Sequence, residues 1–208
     1  MIPHQTPFFL PFLYSSLTWR IGTEKKELYL TFDDGPVSGP TDFVLDQLSQ
    51  SSVKATFFCI GDNIRKYPSV FTRIINDGHT VGNHTVNHLN GWKTTTEDYV
   101  ENVHEFQEII SAAGYKQKCH LFRPPYGRIT RKEIKALSAY HIIMWDVLSQ
   151  DYDRGLSPEE CLKGTLNACR PGSIIVFHDS YKSEKNMKYA LPRLIDFYRD
   201  KGYTFKAI

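Results

Sequence analysis

Two carboxylates stand side by side at Asp33 and Asp34, where the apolar run Leu28 to Phe32 meets a Gly35-Pro36 turn. Further along, His84 and His88 lie four positions apart, just past another strand-like run. On a helical turn that spacing presents both imidazoles to one ion. One Asp with two His makes a set that leaves coordination positions open for water and substrate, an arrangement used by zinc hydrolases and by non-haem iron(II) oxygenases. The ligands do not choose between hydrolysis and oxidation. The spare carboxylate favours hydrolysis, because activating a metal-held water calls for a nearby base. Adjacent strand residues point to opposite faces. Asp33 and Asp34 can therefore serve one site, one on the metal and one free, only if the Gly-Pro turn rotates one of them back.

For these residues to meet, one scaffold must carry them at one end. From Glu27 onward, short β-branched or aromatic runs alternate with amphipathic stretches, the pattern of a parallel α/β fold. Strands are expected at 28–32, 54–58, 80–82, 120–122, 141–145, 173–177 and 203–206, and helices at 41–50, 64–76, 96–113, 131–138, 158–168 and 188–201. Thr96 ahead of Glu97 and Asp98 reads as a helix cap, as does Ser157 ahead of Pro158-Glu159-Glu160. Gly78, Gly114 and Gly202 read as helix stops. Six or seven β/α units predict a compact barrel, shorter than the eightfold form, over residues 27–208. Strand C-terminal ends carry the chemistry of such folds, and the acids and histidines above all fall there.

The rest of the 208-residue chain sets limits on partners. A formal net charge of +2 without a basic stripe argues against nucleic acid, and no protein partner is implied. Cys59, Cys119, Cys161 and Cys169 form no C-x-x-C pair and read as buried free thiols. Residues 1–26 are apolar in part, but no Lys or Arg precedes the apolar run, and Pro3, Pro7 and Pro11 interrupt it. The run also falls short of the roughly 20 residues that span a bilayer. An irregular arm packed on the domain is expected, with no membrane span, no visible signal peptide and a cytoplasmic location by default.

Four segments in order make the reading specific: Thr31-Phe32-Asp33-Asp34-Gly35-Pro36, His84 to His88, Arg123-Pro-Pro-Tyr126-Gly127, and Val176-Phe-His178. Together they resemble the polysaccharide deacetylase family, the NodB homology domain of carbohydrate esterase family four. The resemblance implies a distorted (β/α)7-type barrel and a divalent metal on Asp34, His84 and His88, zinc ahead of cobalt, nickel, manganese or iron. It implies Asp33 as general base and Arg123 as the cation that orients it. It further implies His178 as general acid, Asp151 as its carboxylate partner, and the Tyr126 backbone N–H as a donor to the oxyanion. Tyr152, Val176 and Pro125 would line the slot for the acetyl methyl, and Trp92 is a candidate for the groove rim. Leu148, Tyr152 and Val176 depart from the family pattern, which there has Asp, Trp and Leu. The implied substrate is an acetylated glycan, of chitooligosaccharide or peptidoglycan type. An O-acetyl esterase of xylan type and a non-catalytic carbohydrate-binding relative are the alternatives.

Overall fold

The structure is a computed structural model that describes residues 3–208. Its frame is one parallel sheet. The strands are β1 (Glu27–Asp33), β2 (Thr56–Cys59), β3 (Thr80–Asn83), β4 (Leu121–Phe122), β5 (His141–Ile142), β6 (Val147–Leu148), β7 (Ile174–His178) and β8 (Thr204–Lys206). They lie in the order β5-β4-β3-β2-β1-β7-β6, with β8 alongside the first half of β1. The sheet curls into a distorted half-barrel with helices packed outside it. These helices are α2 (Pro40–Gln50), α3 (Gly61–Lys66), α4 (Pro68–Asn76), α5 (Thr96–Ala112), α6 (Arg131–Ala136), α7 (Pro158–Ala168) and α8 (Glu184–Asp200), after a short α1 (Leu10–Leu13).

Period-two alternation along β1 divides its side chains between two environments. Leu28, Leu30 and Phe32 join the main apolar core with Val44, Leu45 and Leu48 of α2 and Leu191 and Ile195 of α8. Tyr29 belongs instead to a small inner cluster with Phe58, Ile143 and Ile174. By the same alternation Thr31 and Asp33 face the barrel interior. Phe32 is fully buried, with its ring 5.0 Å from that of Phe57 and 6.3 Å from that of Phe177. Three neighbouring strands therefore lock together directly beneath the Asp33 end.

Residues 4–20 run along the segment that carries the chain from β5 to β6. Thr6 N–H donates to the Asp146 carbonyl (2.8 Å), Leu148 N–H to the His4 carbonyl (2.8 Å) and Met144 N–H to the Thr18 carbonyl (2.7 Å). Leu17 and Trp19 pack with Tyr99, Phe122 and Met144 in a second core.

Several elements differ from the sequence expectation. The helix expected over 64–76 is two, because Pro68 lacks an N–H and Tyr67 before it adopts φ −127°, ψ 57°. The strand expected over 141–145 shrinks to His141–Ile142, and β6 adds an eighth strand. Between them Asp146 is drawn out of any strand pattern by hydrogen bonds from Arg170 and Ser173. Thr95, not Thr96, caps α5, its hydroxyl accepting the Asp98 N–H at 3.2 Å. Helix α8 starts at Glu184, four residues before the expected 188.

Phe32→Ala opens a cavity where three strands meet. It is expected to cost about 3–5 kcal/mol of stability, read as a fall in the urea midpoint with the slope of the transition unchanged.

Candidate active site

Strand β1 ends on Asp33, and β7 pairs with it so that Asp33 and His178 are register partners. A parallel sheet thus puts a carboxylate and an imidazole side by side at the C-terminal rim. Asp33 is buried, and Arg123 Nη1 donates to its Oδ1 at 2.7 Å. Arg123 comes from just past β4 and is 0 % exposed. Its remaining donors reach Thr31 Oγ1 (2.7 Å) and the carbonyls of Ile143 (3.1 Å) and Met144 (2.9 Å), and the Phe58 ring lies 4.1 Å from Cζ. Burial presses the guanidinium pKa down and Asp33 opposes that shift.

Asp34 answers the question raised by the adjacent carboxylates. Its φ of 82° turns the chain out of the strand, so that it faces the same cleft as Asp33. Gly35 follows because no side chain fits there: a Cβ would stand 2.0 Å from Asp179 Oδ2. Asp179 is fully buried and accepts the Gly35 N–H (3.0 Å) and the Thr41 hydroxyl (2.6 Å). Burial, aided by the charge of Asp34 and opposed by the Thr41 and Gly35 hydrogen bonds, pushes its carboxyl up to about 7. Sequence reasoning did not single out Asp179; its signal was an acid directly after His178.

His84 and His88 converge on Asp34 Oδ1, with Nε2 distances of 3.8 and 3.3 Å. The segment that carries them is not the helical turn expected from their spacing. Thr85 (φ 66°) and His88 (φ 60°) are left-handed, and Asn83 and Asn102 side chains accept the Thr85 and Val86 N–H groups. His84 Nδ1 lies 2.7 Å from the Arg123 carbonyl, which can only accept, so Nδ1 carries the proton and Nε2 is left with a lone pair. Burial, outweighing Asp33 and Asp34, lowers its pKa to about 4 and keeps the ring neutral, as a metal ligand must be. For Asp34, burial is outweighed by the His88 hydrogen bond and the neighbouring imidazoles, which hold the carboxylate well below its ordinary range. One ligand atom from each of the three residues lies within 4.8 Å of the others. Ligands about 2.0–2.1 Å from a tetrahedral zinc stand roughly 3.4 Å apart. The donor set therefore fits such an ion.

His178 is held from behind. Asp151 Oδ1 accepts from its Nδ1 (2.8 Å) and Asp151 Oδ2 from its backbone N–H (2.7 Å). Burial opposes charge on the ring, but Asp151, with Asp34 and Asp33 beyond it, pushes the pKa up to about 9. The imidazole is thus protonated at neutral pH, with Nε2–H free of Asp151. Tyr152 packs edge-on against it, ring centroids 5.1 Å apart.

Asp33, Asp34, His84, His88 and His178 line one cleft of about 590 Å³, together with Pro124, Tyr126, Arg128, Trp145, Leu148, Tyr152, Val176, Ser180 and Lys182, while Arg123, Asp151 and Asp179 support it from behind. Pro125, expected in the lining, is not there. It starts a 3₁₀ turn (Pro125–Gly127) and is buried, and Pro124 takes the lining position instead. Leu148 and Val176 are register partners on β6 and β7 and form a small apolar wall. Tyr126 has φ 61°, and its hydroxyl lies 3.1 Å from His88 Nδ1. Trp92, the candidate for the groove rim, does not itself line the cleft; it is 64 % exposed behind Arg128, with its indole N–H toward the Ile129 carbonyl. Of the other histidines, His79 accepts the Ala55 N–H through Nδ1, and His104 stacks on Tyr140. All four cysteines are free thiols, and among the described residues no helix is long and apolar enough to cross a membrane.

The sequence profile of the polysaccharide deacetylase family matches residues 20–145, well over half the chain and the stretch that holds Asp33, Asp34, His84, His88 and Arg123. The chain belongs to the polysaccharide deacetylase family. A peptidoglycan-N-acetylglucosamine deacetylase of Bacillus cereus is 37 % identical over 87 % of this chain, which spans 66 % of that relative's length. A chitooligosaccharide deacetylase of Sinorhizobium fredii is 32 % identical over 91 % of this chain and 93 % of its own. Among solved family members, the Bc1960 peptidoglycan N-acetylglucosamine deacetylase, in complex with 4-naphthalen-1-yl-N-oxidanyl-benzamide, superposes with a TM-score of 0.88 at 33 % identity. That match covers 98 % of this chain and 95 % of the other. It extends past Trp145, where the family profile ends, over β6 and β7 with Asp151 and His178.

Replacing Asp151 by Asn removes the charge that outweighs burial at His178. In an NMR titration the His178 ring is expected to titrate near pH 9 in the parent chain and at least one unit lower in Asp151→Asn; an unchanged value would show that Asp151 is not what holds the proton.

Proposed function

We propose that this chain is a metal-dependent hydrolase that removes N-acetyl groups from amino-sugar residues of a polysaccharide or oligosaccharide. The observation that carries the reading is the pairing of Asp33 with His178 across β1 and β7, beside the convergent ligands Asp34, His84 and His88. A zinc-like cation on those three ligands would supply Lewis acidity, lowering the pKa of a water and polarising the acyl C=O so that its carbon is more electrophilic. Asp33, fixed by Arg123, takes a proton from the water as its oxygen adds to the acyl carbon. The Tyr126 backbone N–H donates to the acyl oxygen as negative charge builds there. His178, held protonated by Asp151, gives its Nε2 proton to the nitrogen as the C–N bond breaks, so that acetate and a free amine leave. Leu148, Val176, Trp145 and Tyr152 enclose the methyl.

A protonated acid favours an amide over an acetate ester, because an amine leaves only with a proton supplied and an alkoxide depends on it less. The deacetylase names of the Bacillus and Sinorhizobium relatives support an amino-sugar substrate in particular.

Acetate release from tetra-N-acetylchitotetraose, set beside release from acetylated xylan, tests the assignment. Chelation is expected to abolish turnover and added zinc to restore it. Asp33→Asn should lower kcat by about 10²–10⁴-fold with zinc affinity retained, whereas His84→Ala should lose the metal. Activity should fall as pH rises through about 9, where His178 gives up its proton, and that limb should move to lower pH in Asp151→Asn. Zinc-loaded protein that releases no acetate from either substrate would sink the proposal.

A further inference from the structure

The mouth of the cleft carries two cations for which the chemistry above has no use, Arg128 and Lys182. Among the described residues neither has a carboxylate within ion-pair distance. Both are laid against aromatic rings instead. Arg128 Cζ is 5.2 Å from the Trp92 ring centroid and 5.9 Å from that of Tyr126, and Lys182 Nζ is 5.1 Å from that of Tyr152. A ring face steadies a cationic head without neutralising it. The charges deeper in the cleft are already matched: Asp33 by Arg123, His178 by Asp151, and Asp34 by two imidazoles.

Position adds to charge. Arg128 follows β4 and Lys182 follows β7, on opposite sides of β1 in the strand order, so the two cations flank the Asp33 end. The rings beside them offer flat apolar faces to sugar rings. A neutral chitin-type oligomer offers these cations hydroxyl and acetamide oxygens but no opposite charge. A carboxylate supplies it, bidentate on the Arg128 fork and as a point-charge partner for Lys182.

We infer that the cleft selects an acetylated glycan bearing carboxylates, with Arg128 and Lys182 as specificity-determining residues on either side of the reacting acetamide. This rests on the reading of the cleft as a glycan deacetylase site, and it narrows the substrate from acetylated amino sugars in general to their anionic polymers.

The test uses two tetrasaccharides of alternating N-acetylglucosamine and N-acetylmuramic acid, one with free lactyl carboxylates and one with the same groups as methyl esters. Rings, acetyls and length are then equal, and only charge differs. Binding is measured by calorimetry on the zinc-loaded full chain carrying Asp33→Asn, so that turnover does not consume the probe. The acid is expected to bind about tenfold tighter than the ester at low salt, with the ratio approaching one near 0.5 M NaCl, on the order expected for exposed charge pairs. Arg128→Gln and Lys182→Gln should each shrink the ratio, and the double variant should bring it to one. Equal affinity for acid and ester, a ratio that survives the double substitution, or no binding of either probe would overturn the inference. Acetate release by the chain without Asp33→Asn is followed in parallel. A charge-dependent ratio with no acetate released defeats the deacetylase reading and leaves this one standing, while release from both probes at equal affinity does the reverse.

Discussion

The site rests on a guanidinium that has no surface in water. Burying a charge costs several kcal/mol unless it is paired and its remaining donors are met. Arg123 meets both conditions through Asp33, Thr31 and the carbonyls of Ile143 and Met144. These partners come from β1 and from the segment after β5, so one side chain ties the centre of the sheet to one of its edges. The Arg123 carbonyl also accepts from His84 Nδ1. A single residue thereby orients a carboxylate with its side chain and an imidazole with its backbone. The polar barrel interior follows from this. The small inner cluster around Tyr29 and Phe58 closes off the space beneath the ion pair, and the large apolar core lies on the other face of the sheet, under the helices.

Around that anchor the backbone is strained. Of the six non-glycine residues with positive φ among the described residues, Asp34, Thr85, His88, Tyr126 and Gln150 belong to the site or its supporting loops, and Ser52 lies away from it. Each such residue costs on the order of 1–3 kcal/mol and persists where its surroundings over-determine it. Here the surroundings are buried hydrogen bonds: Asp179 to Gly35 and Thr41, Asn83 to Thr85 and Val103, Asn102 to Val86. None of these supporting groups reaches the cleft. They hold the loops in shapes that ordinary strand and helix geometry does not provide.

What the sequence made legible follows from the range of each interaction. Local patterns located most of the strands and helices and predicted a parallel α/β barrel, because alternation and capping act over a few residues. They missed β6, which is two residues long, and they ran α3 into α4, although Pro68 marked the break. The residues of the site were named from motif order, which also led to Asp151 despite the altered residues around it. Their arrangement depends on pairings distant in the chain. Asp33 stands beside His178 only through the register of β1 with β7, and Asp34 shares their cleft only through a positive φ that no spacing rule predicts. The i and i+4 spacing picked two histidines that do converge on Asp34 but predicted the wrong conformation, since two helical positions and two positions of a curled loop can reach one oxygen alike. Pro125 was misplaced by one residue for a related reason: two adjacent prolines do not reveal which of them faces out.

The N-terminal arm contributes no side chain to the chemistry, yet it lies against β5 and β6, the two margins of the sheet. A bare strand margin offers a row of unmatched N–H and C=O groups to which another chain can add. Here Thr18 occupies the Ile142 carbonyl and the Met144 N–H, and His4 takes both the N–H and the carbonyl of Leu148. The arm fills from within the places a foreign strand would take. At these positions neither margin presents an open backbone group for strand addition.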